Sequence, residues 1–203
     1  MKKILLLGIL ATVTLWSCKE DDKPQPQLTV SIGESYEGGV VFYIAADKQS
    51  GLVAAPNDQS EAIAWSSKRK VIPTNNEIGT GQENTTTIIK AKASDNDEYA
   101  AKLCNDLVLG GYDDWYLPSI EELIELYKQK DKLGGFDASA TYWSSSALDG
   151  GYPNAGYTWT YIFRSDNPNQ KNLDLNQHAL YKVRAIRTIL GTPNPGTAAQ
   201  HEH

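Results

Sequence analysis

The chain has 203 residues, with 25 Asp and Glu against 19 Lys and Arg and a formal net charge of −6. That acidity argues against nucleic acid as a partner and against docking on anionic lipid through a basic face. The length allows one domain with a real core, and only two cysteines, Cys18 and Cys104, are available to brace it.

In chain order, Lys2 and Lys3 precede an uncharged apolar stretch over residues 4–15. It is short for a bilayer span and fits the central region of a signal peptide. Leu15-Trp16-Ser17-Cys18 follows and resembles a bacterial lipobox. Cleavage is therefore expected before Cys18, with lipid on its sulfur, and several acyl chains give stable anchoring. Removing residues 1–17 takes away two lysines, so the mature balance is 17 − 25 = −8. Lys19-Glu20-Asp21-Asp22 resembles the acidic export signal of surface lipoproteins in Bacteroidota-type bacteria. The expected location is the outer membrane, lipid-anchored and surface-exposed. Residues 18–33 read as a lipidated tether, 34–190 as the domain, and the Gly-, Pro-, Thr- and Ala-rich 191–203 as a disordered tail. With Cys18 lipidated, Cys104 has no intrachain partner, so packing alone must hold the domain.

Within the domain, the Gly38–Ile44 run and Leu52–Ala55 are expected to form a hairpin around the turn residues 47–51. A short strand is expected near Ile63-Ala64-Trp65. Asn84 or Thr85 is placed as the cap of a helix reaching about Ala93. Tyr99, Ala100, Leu103, Leu107 and Val108 share one face of a second helix, which Gly110-Gly111 stops. Cys104 falls in that apolar arc and reads as a buried, inert thiol. Ser119-Ile120-Glu121-Glu122 is a capping box, and Ile120, Leu123, Ile124 and Tyr127 continue as a helical stripe to about Lys130. Strands are expected over 141–146, over 157–163 with aromatics alternating with Thr as in a half-exposed strand, and over 180–187 as the closing strand. Strands, helices, then strands give an α+β class in which the N- and C-terminal strands meet.

Several of these segments together resemble one known family. They are Gly-Gly-Val-Val-Phe-Tyr-Ile at 38–44, Gly-Leu-Val-Ala-Ala-Pro at 51–56, and Asn84 at the helix entry. Then follow Gly-Gly-Tyr-Asp-Asp-Trp-Tyr-Leu-Pro-Ser at 110–119, Glu-Glu-Leu at 121–123, Tyr-Trp-Ser-Ser-Ser at 142–146 and Val-Arg-Ala-Ile-Arg at 183–187. This is the pattern of the DUF1566 or Lcl C-terminal domain family, related to the Fibrobacter major paralogous domain. The resemblance implies a C-type-lectin-like fold, with two or three helices on a mostly antiparallel sheet whose terminal strands pair. It implies no common activity. Members are mostly uncharacterised surface or secreted proteins, and the collagen-like adhesin that gives the family its name is associated with glycan adhesion.

For function, a lectin-like binding module with a glycan or protein ligand is the first expectation. A non-catalytic accessory subunit of an envelope or fimbrial assembly is the alternative. The late aromatics and the loop between them supply the candidate ligand-binding residues: Tyr152, Asn154, Tyr157, Trp159 and Arg164. Asp113 and Asp114 read as turn and framework residues rather than a cation site. Asp95-Asn96-Asp97-Glu98 and Ser165-Asp166-Asn167 lack the spacing of a calcium set. The tripeptides by which calcium-dependent lectins hold their ion are absent from the sequence. His178 is the one histidine of the domain and has no nucleophile motif to pair with, so no catalysis, cofactor or metal is expected.

Overall fold

The structure, a computed structural model, describes residues 25–137, 139–149, 155–164 and 171–191. Cys18, the expected signal peptide over residues 1–17 and the acidic residues 20–22 lie outside these, as do Tyr152, Asn154 and residues 192–203. Among the described residues the class is α+β. Two sheets run β1 (Ser35–Tyr36), β2 (Gly39–Ile44), β3 (Ser50–Ala54), β9 (Ile186–Leu190), and β4 (Ser60–Ile63), β8 (Tyr181–Val183), β5 (Thr141–Asp149), β6 (Ala155–Ile162), β7 (Lys171–Asp174). Neighbouring strands are antiparallel except β5 and β8, which pair in parallel at Tyr142 and Lys182. The helices are α1 (Gly81–Ala91), α2 (Ala100–Asn105), α3 (Ile120–Lys128) and the single turn α4 (Lys130–Leu133). That is one more than the expected two or three, because Gln129 interrupts the run expected to reach Lys130.

Strand residues alternate between faces, and here both faces are covered. Val41, Val53, Trp143 and Ile189 enter one core with Ile88 of α1 and Ala100, Ala101 and Cys104 of α2. Their chain neighbours Phe42, Leu52, Ala54 and Tyr142 enter a second core with Ile120, Leu123 and Leu126 of α3. The sheets are thus sandwiched between α1 and α2 on one side and α3 on the other. This explains why the strands read as nearly continuous apolar runs. Two of the glycine pairs, Gly38-Gly39 and Gly110-Gly111, meet where chains cross. Gly110 has φ +65°, and a Cβ there would sit 2.5 Å from the Gly38 Cα, so neither position accepts a side chain.

The N-terminal part of the fold and β9 do come together, with β9 pairing β3 from Ser50↔Leu190 to Ala54↔Ile186. The packed part of the chain begins ahead of Glu34. Leu28 is buried in the first core and its amide donates to the Lys48 carbonyl at 2.7 Å. The apolar Leu28, Val30 and Ile32 inside the expected tether were the available sign of it.

Other expectations need correction. The closing strand is not continuous: β8 and β9 belong to different sheets, and Arg184-Ala185 carries the chain between them. A simple alternation over 180–187 conceals this, because both halves alternate correctly by themselves. The second helix is only six residues long, and Val108 is 72% exposed instead of joining its buried face. The chain leaves helical geometry after Asp106 and turns at Leu109–Tyr112. Helix α1 starts at Gly81 with Thr80 in the cap position, four residues ahead of the Asn84 cap and five ahead of the Thr85 one. Asn84 is therefore inside it, fully buried, and does not cap it.

Candidate functional site

The Tyr-Trp-Ser-Ser-Ser segment of β5 is buried throughout. Every one of its polar groups has a structural partner. Tyr142 donates its hydroxyl to Asp58 Oδ2 at 3.0 Å, and Trp143 donates its indole N–H to the Ile63 carbonyl at 2.8 Å. Ser144 donates to the Trp159 carbonyl at 2.6 Å. Ser146 donates to the Asn75 carbonyl at 2.7 Å and accepts from the Ile120 amide at 2.9 Å. Ser145 accepts from the Asn84 side-chain amide at 3.2 Å. Asn84 also clasps the backbone of Asn75 from both sides, taking its N–H at 2.9 Å and giving to its carbonyl at 2.8 Å. Thr74 completes the belt by donating to the Ser145 carbonyl and accepting from the Ala147 amide. Short hydroxyls suit this role, since each can give and take a hydrogen bond with no bulk.

The other signature segments behave likewise. Ser119 and Glu122 form the full capping box at the start of α3. The Glu122 carboxylate, fully buried, additionally takes the Gly79 amide at 2.9 Å, pinning the loop that leads into α1. Burial raises its pKa above the ordinary carboxylate value, while the amides of Ser119, Gly79 and Gly81 pull the other way. Arg184 is 1% exposed. It donates to Asp58 at 2.6 Å, to the carbonyls of Ala55 and Pro56 at 3.1 Å and to that of Gly135 at 2.6 Å, with Phe136 under its guanidinium. Arg187 forks onto Asp114 at 2.6 and 3.0 Å, reaches the carbonyl and carboxylate of Glu37, and lies over Tyr112. Asp114 is therefore a framework residue.

At the edge of the serine belt lies an open groove of about 370 Å³, lined by Pro73, Thr74, Asn75, Glu83, Asn84, Thr87, Ala147 and Leu148. The belt fixes two of its walls, because Thr74 and Asn84 are committed to backbone partners. The side chains of Asn75, Glu83 and Thr87 make no hydrogen bond among the described residues. Glu83 and Thr87 are one turn apart on α1 and so share a face. Sequence reasoning missed these three. None belongs to a motif, and they meet only because the belt folds loop 73–77 against α1.

The late aromatics divide. Tyr142, Trp143 and Tyr161 are buried, while Tyr157 and Trp159 are half-buried and Arg164 is exposed. The expected polar–apolar alternation of β6 does not give a solvated face. Thr158 and Thr160 are fully buried and donate to the carbonyls of Asp174 and Asn172 in β7. Trp159 sits opposite Leu173, with the Lys171 ammonium 6.0 Å from its ring. Arg164 contributes its carbonyl, which accepts from the Tyr127 hydroxyl. Tyr157 neighbours Thr158, which pairs with groove residue Ala147, so Tyr157 and the groove share the loop end of the β5–β6 hairpin. Tyr157, Trp159 and Arg164 are not gathered around a single cavity.

Elsewhere, Cys104 is buried in the first core, which raises its pKa well above the ordinary thiol range. His178 is exposed, and its amide donates to the Asn176 side chain. Asp95 pairs with Lys92 and Lys68, and hydrogen bonding from Lys92 lowers its pKa. Among the described residues no three His, Cys, Asp or Glu side chains come together as a metal site, and no helix is long and apolar enough to cross a membrane.

No curated protein matches the chain. Among solved structures it is similar to a fimbrial protein from Bacteroides ovatus ATCC 8483, at 15% identity and a TM-score of 0.48, over 70% of this chain and 36% of that one. The chain thus spans about a third of that protein's length. Residues 54–187 match the Lcl C-terminal domain family, from the end of β3 to Arg187. That range takes in the serine belt, the capping box and both arginine corners, and the chain belongs to the Lcl C-terminal domain family.

Proposed function

We propose that this protein is a non-catalytic binding module: a surface lipoprotein, lipidated at Cys18, whose C-type-lectin-like domain acts as an adhesin toward glycan or protein. The observation that carries the binding role is the division of labour in the polar groups. The family's signature side chains are consumed in holding the frame. The groove groups are left open near the loop end of the β5–β6 hairpin, and the half-buried Tyr157 stands on the same hairpin, one residue from the partner of Ala147. Aromatic edges and free polar groups on a rigid support are what a recognition surface needs. Tyr152 and Asn154, outside the described residues, fall between β5 and β6 in the sequence. For the fold, sheets packed on helices with the two ends of the domain paired through β3 and β9 support the lectin-like reading. For the location, support comes from the lipobox and the acidic residues after it.

The test has two parts. Cells expressing the full chain are fractionated and treated with external protease. Membrane association that disappears in Cys18→Ala, together with protease sensitivity of intact cells, is expected; a soluble wild type ends the lipoprotein reading. The protein is then applied to a glycan array beside the Tyr157→Ala and Trp159→Ala variants. Glycan binding weakened by either change is expected. Co-purification of one envelope protein, with a blank array, would replace the adhesin by an accessory subunit.

A further inference from the structure

We infer that the groove between loop 73–75, α1 and the end of β5 is a subsite for one or two residues of a neutral saccharide, with Glu83, Asn75 and Thr87 as its hydrogen-bonding groups. The inference deepens the binding reading above and rests on it. Its volume of about 370 Å³ falls at the small end of the roughly 300–1,000 Å³ typical of ligand pockets, which suits a short saccharide and not a long chain lying flat.

The chemistry of the lining selects the class. A carboxylate accepts two hydroxyl protons, a side-chain amide both gives and accepts, and a hydroxyl does either. Those are complements of vicinal sugar hydroxyls. The exposed Pro73 and the half-buried Leu148 supply apolar surface for the C–H face of a sugar ring. A sulfated or uronate glycan would place an anion against Glu83, on a mature chain of formal charge 17 − 25 = −8. A cationic ligand would find a single carboxylate and no aromatic ring in the groove.

Rigidity supports the same assignment. Thr74 and Asn84 are locked by the serine belt, and Asn75 is gripped at both its N–H and its carbonyl while its side chain stays exposed. A groove whose walls are fixed before binding loses little on closing around a ligand. These bonds hold the loop in place, so Asn75 and Glu83 can each be substituted without touching them.

The experiment uses the full chain on an array carrying neutral hexose and N-acetylhexosamine oligosaccharides, sialylated and sulfated glycans, and amine-bearing chitosan fragments. Neutral spots are expected to bind, with the signal falling at least tenfold in Glu83→Gln and in Asn75→Ala at unchanged thermal midpoint. Glu98→Gln, at an exposed carboxylate away from the groove, is expected to bind like the wild type. Neutral binding that survives both groove changes yet falls in Tyr157→Ala overturns the subsite and leaves the adhesin standing. Selection of the anionic or amine spots overturns the neutral class. A blank array overturns the subsite and leaves the adhesin a protein ligand only.

Discussion

The serine belt and the groove share a boundary at Thr74, Asn75 and Asn84, yet they are built oppositely. In the belt and in the two arginine corners, side-chain polar groups find protein partners and are withdrawn from water. At the groove, three polar side chains are left open beside apolar ones. A buried donor without an acceptor costs about 1–3 kcal/mol, so a belt of this kind is stable only when complete. An open rim carries no such penalty, because water satisfies it. In this chain the signature residues thus describe the frame, and the open polar groups of the groove lie outside them.

The largest effect should come from the arginine at the crossing between the sheets. Arg184→Ala takes the shortest ion pair from Asp58, which is itself 5% exposed and keeps only the Tyr142 hydroxyl and the Lys182 ammonium at 3.4 Å, and removes the donor to three carbonyls. Breaking a buried pair in this way costs about 3–5 kcal/mol, to be read from urea unfolding. Arg184→Lys should recover little, since a point ammonium cannot satisfy that fork. Arg187→Ala should cost less, because its partners Asp114 and Glu37 are 42% and 27% exposed and water can replace the arginine. Equal losses at the two positions would break the distinction between a closed frame and its more solvated margin.

Next in size is Glu122. Glu122→Gln keeps the shape but turns an N–H toward backbone N–H groups, and should cost about 1–2 kcal/mol at neutral pH. Because burial raises the folded pKa of this carboxyl, the native state holds its proton more tightly than the unfolded chain does. The wild type therefore has its full contribution from this group below the unfolded glutamate value of about 4.3, and loses it as pH rises through the raised folded value. The variant does not titrate there. Stability curves of the two proteins should converge as pH rises through that window, and parallel curves would show that the site does not titrate.

How much of this could be read from the sequence depended on whether a signal was local. The hairpin, the capping box and the buried Cys104 are local patterns, and they are found where periodicity and caps put them. Long-range pairing left no comparable trace. Nothing in Val-Arg-Ala-Ile-Arg says that the chain changes sheets at Arg184, or that its two arginines pair with Asp58 and Asp114, each more than seventy residues away. Thr158 and Thr160 looked like the wet side of a strand and are dry, because β7 supplies carbonyls to them. Val108 kept the helical spacing but not the helix, which ends at Asn105. The groove was the least legible feature, since Asn75, Glu83 and Thr87 are ordinary polar residues until the belt brings them together.

The smallest expected effect on stability is at the groove, and it is the sharpest check of the contrast. Glu83 is exposed on α1 and makes no hydrogen bond among the described residues, and Thr87 is half-buried on the same face. Glu83→Gln and Thr87→Ala should therefore each leave urea stability within about 0.5 kcal/mol of the wild type, as for surface changes that break no special feature. The neighbouring Asn84→Ala removes three hydrogen bonds from a fully buried position and must cost several times more. If Glu83→Gln destabilised as strongly as Asn84→Ala, the carboxylate would be part of the frame. A steep difference between two adjacent residues of one helix would instead place the edge of the frame between positions 83 and 84, with the Glu83 carboxylate outside it.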